Sequence, residues 1–158
     1  MDWKTTLPPF NPAFLSHSRR WRDLLYVYPV VSRRSHGLSI GVNLNPDGAC
    51  NFDCVYCSVD RKVEPRVRTV DLGALDAELR RIVETRDQLF QEPEFRDTTP
   101  DYRRLNDIAF SGNGEPTASR VFPAPLVRNT PVFSTASRIR GARQFEDKTP
   151  TVINIAWS

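Results

Sequence analysis

A chain of 158 residues, 39% hydrophobic and 26% charged, is long enough for one globular domain of ordinary size. No apolar run approaches the roughly 20 residues of a membrane helix, and no apolar core follows a basic N-terminal start. The sequence therefore reads as cytoplasmic, with no membrane association. The formal net charge of +3 admits a nucleic-acid or phosphate-bearing partner without requiring one.

In chain order, Trp3, Phe10, Phe14 and Trp21 read as cover for apolar surface rather than as base-stacking residues. The segment RDLLYVYPVVSRR alternates well enough for a strand or hairpin arm. Arg33, Arg34 and His36 follow as a solvated basic edge. Leu38, Ile40, Val42 and Leu44 then alternate with small or polar residues, which predicts a strand over 38–46. The string NPDG, with Pro46 and Gly48, is turn chemistry and ends it.

All three cysteines follow at once, as Cys50, Cys54 and Cys57. The odd count disfavours a disulfide framework, and a redox Cys-x-x-Cys pair would leave Cys50 unused. A Cys3His zinc site completed by His36 or His17 is the main alternative, although zinc ligands usually come as separated pairs. On a helix the i, i+4, i+7 spacing would spread the thiols over about 10 Å, too far for one compact centre. The chain is expected to curl around its ligand instead. Iron–sulfur cubanes normally take four thiolates, so three would leave one iron open to a substrate or cofactor.

Asp71 is the expected N-cap of a helix, with Val70 and Leu75 as a hydrophobic staple. Leu72, Leu75, Leu79, Ile82, Val83, Leu89 and Phe90 trace its apolar stripe, and Asp76 is placed to pair with Arg80. Pro93 and Pro100 bracket a polar loop. Ile108, Ala109 and Phe110 form a short strand that runs into Gly112, Asn113, Gly114, Glu115 and Pro116.

Cys-x3-Cys-x2-Cys with Tyr56 before the last cysteine, followed by a strand and Gly-Asn-Gly-Glu-Pro, resembles the radical S-adenosylmethionine (radical SAM) superfamily. The GNGEPT string is similar to the branch with the tRNA wyosine-forming enzymes and uncharacterised relatives. Asn51 and Phe52 occupy positions where the family often has similar residues. The resemblance implies a [4Fe-4S] cluster on Cys50, Cys54 and Cys57, with Tyr56 beside the adenine of S-adenosylmethionine. It assigns Gly112, Asn113, Gly114, Glu115 and Pro116 to the cofactor's methionine ammonium. A carbonyl- and carboxylate-rich loop suits an ammonium, and glycines let the backbone approach.

By the same resemblance, reductive cleavage of S-adenosylmethionine yields a 5′-deoxyadenosyl radical that abstracts hydrogen from a substrate. It implies an electron donor such as flavodoxin or ferredoxin. It does not name the substrate, for which RNA is one class. The implied fold is α/β, the N-terminal portion of a partial (β/α)6 barrel. Residues 1–36 read as an N-terminal extension, 37–117 as the start of the barrel, and 118–158 as an irregular tail.

Six units at some 30 residues each would need about 180 residues, more than follow Leu38. Pro123, Pro125 and Pro131 prevent a helix after Ala118, and only TVINIAW near the end reads as a strand. The loss of pattern suggests a truncated product with a tail read in a shifted frame. Against the enzyme stand two other expectations: a small zinc-binding or interaction module, and an inert remnant that keeps the motifs.

Overall fold

The two strands flanking residues 33–36 make an antiparallel hairpin. Strand β1 (Val27–Ser32) pairs with β2 (Gly37–Val42), with Val27 opposite Val42 and Ser32 opposite Gly37. This is a computed structural model; it describes Arg19, residues 21–52, Cys54, Val55, Cys57, residues 59–122 and the backbone of Ile153–Ile155. His36 closes the hairpin with a φ of 52°, a left-handed conformation tolerated in a turn. Asn106 clamps that turn from the next strand, donating from Nδ2 to the carbonyls of Ser35 (2.6 Å) and His36 (2.8 Å).

After β2 the chain leaves the sheet and forms α1 (Leu72–Glu84) and the short α2 (Arg86–Leu89). It returns as β3 (Leu105–Phe110), which runs parallel to β2. Parallel neighbours need such a crossover. A one-residue irregularity at Asn106 shifts the register, so that Leu38 faces Leu105 and Ser39 faces Asp107. Strand β4 (Ile153–Ile155) adds in parallel to β3, giving the order β1-β2-β3-β4. The fold is therefore α/β with a mixed sheet. Residues 27–32, read from sequence as part of an extension, are paired in it.

The two faces of the sheet differ. Val27, Val31, Leu38, Ile40, Val42, Ile108 and Phe110 belong to one core with Leu75, Leu79 and Ile82 of α1. Burying each such side chain contributes about 1.5–3 kcal/mol. On the opposite face the paired positions are Tyr28 with Gly41, Ser39 with Asp107, and Gly41 with Ala109. That face carries the Tyr28 ring and Val30 beside the small residues Ser39, Gly41 and Ala109. A side chain at Gly41 would collide with the Tyr28 ring, so glycine is needed there.

The expected N-cap is present: Asp71 Oδ1 accepts from Ala74 N at 2.9 Å. Asp76 and Arg80 pair at 2.8 Å. The single helical stripe expected through Phe90 is divided at Thr85, whose φ of −98° and ψ of 10° end α1 before α2 begins at Arg86. Leu72, the first residue of the helix, is 37% exposed among the described residues. The loop bracketed by Pro93 and Pro100 is anchored by buried Phe95, whose ring meets Trp21 edge-on at 5.3 Å.

Glu78 on α1 fastens the helix to β1. Its carboxylate accepts the main-chain N–H groups of Leu25 (2.8 Å), Tyr26 (2.9 Å) and Val27 (3.2 Å). These donors lie where the chain enters the sheet edge, so one carboxylate satisfies three groups. Replacing Glu78 with Ala should lower unfolding free energy by about 2 kcal/mol in a denaturant titration. An unchanged midpoint would show that water replaces the carboxylate without cost.

Candidate metal centre and adjoining loop

Strands β2 and β3 end side by side, with Val42 opposite Phe110 and Ser111 N donating to the Val42 carbonyl at 3.0 Å. Both sequence motifs follow from there. The cysteine loop begins with the expected turn: Gly48 N donates to the Asn45 carbonyl at 3.0 Å, and Gly48 has a φ of 74°. Among the described residues, Cys50, Cys54 and Cys57 are not helical. Cys57 N donates to the Cys54 carbonyl at 3.0 Å, a tight turn with Val55 fully exposed at its apex.

Cys50 and Cys54 are partly buried and Cys57 is exposed; all three are free thiols. Among the described residues no group of three or more side chains is already gathered as a metal cage. The sulfur of Cys50 is nonetheless set up as an acceptor. It takes the N–H of Phe52 at 3.5 Å and of Glu115 at 3.3 Å. Burial alone would push this thiol up, but those two N–H groups and the Arg61 guanidinium together hold it below the ordinary thiol value.

Arg61 spans the mouth of the loop. It donates to the Gly48 carbonyl from one nitrogen, and from the other it lies 3.7 Å from Cys57 Sγ. N–H and guanidinium donors directed at sulfur suit thiolates rather than neutral thiols. The donor set thus fits an anionic metal–thiolate group.

The second loop docks on the first. Gly112 and Glu115 are buried, and Asn113 and Gly114 are partly buried. Glu115 Oε1 accepts from Thr117 N at 3.2 Å and Thr117 Oγ1 at 2.7 Å, which caps the short turn Pro116–Ala118. The carboxylate is thereby held in place with Glu115 only 8% exposed. Glycine was expected here for ligand approach. The geometry adds a nearer reason: a side chain at Gly114 would meet the Ala49 carbonyl and Asn45 Cβ, and one at Gly112 would meet Asn43.

The other expected residues are less engaged. Asn51 is exposed and Phe52 is 49% exposed. Tyr56 and His17 lie outside the described residues. His36 sits before β2, whereas Cys50 follows that strand's far end. Six residues of strand put about 20 Å between the two ends. His36 is therefore not placed as a fourth ligand; its ring nitrogen lies 3.4 Å from the Tyr102 hydroxyl.

Asn43, Asn45 and Arg61 were not singled out by sequence. The signal for the asparagines is the alternation in VNLNP, and for Arg61 its position four residues after Cys57.

No family model matches the chain. It is similar to the UPF0026 protein MJ1312 of Methanocaldococcus jannaschii, at 33% identity over 89 residues. That match takes in 56% of this chain and 24% of the relative. It is also similar to a GTPase Obg of Brachyspira hyodysenteriae, at 25% identity over 89 residues, 56% of this chain and 11% of that protein. The chain thus spans about a quarter or less of the relatives it matches. No solved structure matches.

Gly114→Ala should force the two loops apart and lower stability by about 1–3 kcal/mol in denaturant unfolding. A variant as stable as the parent would mean that the loops do not pack as described.

Proposed function

We propose that this chain carries the cofactor-binding opening segment of a radical SAM enzyme, the start of a partial (β/α)6 barrel. The observation that carries the reading is the hydrogen bond from Glu115 N to Cys50 Sγ, which joins the two motifs across 65 positions of sequence. The Gly-Asn-Gly-Glu-Pro string alone is more often just a turn. The meeting of the two motifs at the carboxyl ends of adjacent parallel strands is where α/β barrels build their sites.

In this reading Cys50, Cys54 and Cys57 hold a [4Fe-4S] cluster with one open iron. Loop 112–116 receives the methionine ammonium of S-adenosylmethionine, with Glu115 as its carboxylate acceptor. The chemistry supplied when both are bound is one-electron cleavage of the sulfonium, giving methionine and a radical that takes hydrogen from the substrate. This chain's residues bind and orient. Thr117 fixes the Glu115 carboxylate, and the N–H groups of Phe52 and Glu115 favour anionic sulfur at Cys50. Arg61 offsets charge at Cys57. An electron donor such as flavodoxin or ferredoxin would complete the system.

The GTPase name of the second relative has no counterpart here. The chain contains no Gly-Lys pair, so it lacks the phosphate loop such chemistry uses. The zinc alternative would need His17 as its fourth ligand, since His36 precedes β2 and the cysteine loop follows it.

Reconstitution of the full chain with iron and sulfide without oxygen, followed by reduction, should give a cubane electron paramagnetic resonance signal. Adding S-adenosylmethionine should change it, and Cys50→Ala, Cys54→Ala or Cys57→Ala should each abolish it. Glu115→Ala should keep the cluster and weaken the cofactor response roughly 10–100-fold in concentration, the worth of a charged hydrogen bond. A signal indifferent to the cofactor, or zinc retained in place of iron, would refute the proposal.

A further inference from the structure

Asn43 and Asn45, which follow β2, are as buried as the apolar core, at 2% and 3% exposure. A side-chain amide held there is costly unless its hydrogen bonds are made. Asn43 Oδ1 accepts two main-chain N–H groups, from Asn45 at 3.0 Å and from Asn113 at 3.2 Å. Asn113 is 70 positions away in sequence. One oxygen therefore ties the approach to Cys50 to the approach to Glu115. Asn45 carries the tie onward, donating from Nδ2 to the carbonyl of Ala49, the residue before Cys50, at 3.2 Å.

The neighbouring glycines fit this arrangement. The Asn43 amide fills the space that a side chain at Gly112 would need, and the Ala49 carbonyl fills the space at Gly114. At 2% exposure Asn43 is too buried to be the first contact of a ligand, and its oxygen is already directed at two backbone donors.

We propose that Asn43 is a positioning residue that sets the register of the Gly112–Glu115 loop against the cysteine loop. Through that register it keeps the Glu115 N–H on Cys50 Sγ. An N–H donated to a ligand sulfur stabilises the more negative state of a metal centre and so raises its reduction potential. This link to a metal centre rests on the proposed function; the hydrogen bonds of Asn43 do not.

The test compares the full chain with Asn43→Leu, which keeps the branched shape but cannot accept, and Asn43→Asp, which keeps an accepting oxygen. The first readout is hydrogen exchange at the Asn45 and Asn113 amides. Asn43→Leu should speed both roughly tenfold. Asn43→Asp should restore protection. The second readout is the midpoint potential of the iron-loaded chain, which should move to more negative values in Asn43→Leu.

Unchanged exchange in Asn43→Leu would overturn the proposal, and so would faster exchange with an unmoved potential. If Asn43→Leu does not fold, Asn43→Asp decides alone: loss of protection at both amides there overturns it. A parent chain that takes up no iron–sulfur centre would sink the functional reading, while the exchange experiment would still decide the role of Asn43.

Discussion

The parallel pairing of Val42 with Phe110 brings the end of β2 beside the end of β3, and both motif loops leave the sheet at that point. Asn43 and Ser111 are the next residues of the two strands, so the loops start within hydrogen-bonding reach of each other. The contacts between the loops follow from this: Asn43 to Asn113, Gly114 against Ala49, and Glu115 to Cys50. The pairing itself depends on the apolar face beneath it, where Ile40, Val42, Ile108 and Phe110 share a core with α1. Glu78 closes that core at the β1 edge by satisfying three N–H groups at once.

The electrostatics of the site have a consistent sign. Cys50 receives two N–H groups, and Cys57 faces the Arg61 guanidinium. Such donors stabilise negative sulfur, which a metal ligand must carry. Glu115 supplies negative charge on the neighbouring loop, but Thr117 holds its carboxylate while the main-chain N–H of the same residue turns to Cys50. One residue therefore presents a main-chain donor to the sulfur while its carboxylate is held by Thr117.

Much of the fold was legible because it rests on periodicity and local chemistry. The alternation from Leu38 to Leu44 gave β2, although the strand stops at Val42 because Asn43 turns its oxygen to the loops. Asp71 capped α1 as its residue type requires. The break at Thr85 was not legible, since a hydrophobic stripe continues across it and the backbone dihedrals of Thr85 mark it. TVINIAW was read as a strand, and Ile153–Ile155 forms one beside β3. The prolines Pro123, Pro125 and Pro131 lie outside the described residues.

At the site, the cysteines and the Gly-Glu-Pro string were visible as motifs, but the reason for the glycines was not. A glycine that admits a ligand and a glycine that admits a neighbouring asparagine look the same in one dimension. Only the meeting of Gly112 with Asn43 separates them. His36 shows the reverse problem: it is near the cysteines in sequence, but an extended strand separates them in space.

In the proposed function Cys50, Cys54 and Cys57 would hold a cubane whose remaining iron is open. Mössbauer spectroscopy of the chain reconstituted with isotopically enriched iron tests this most directly, recorded with and without S-adenosylmethionine. The expected result is a four-iron spectrum in which one iron site changes on adding the cofactor while the other three stay as they were. A single iron in a sulfur cage, or four irons that do not respond to S-adenosylmethionine, would contradict it.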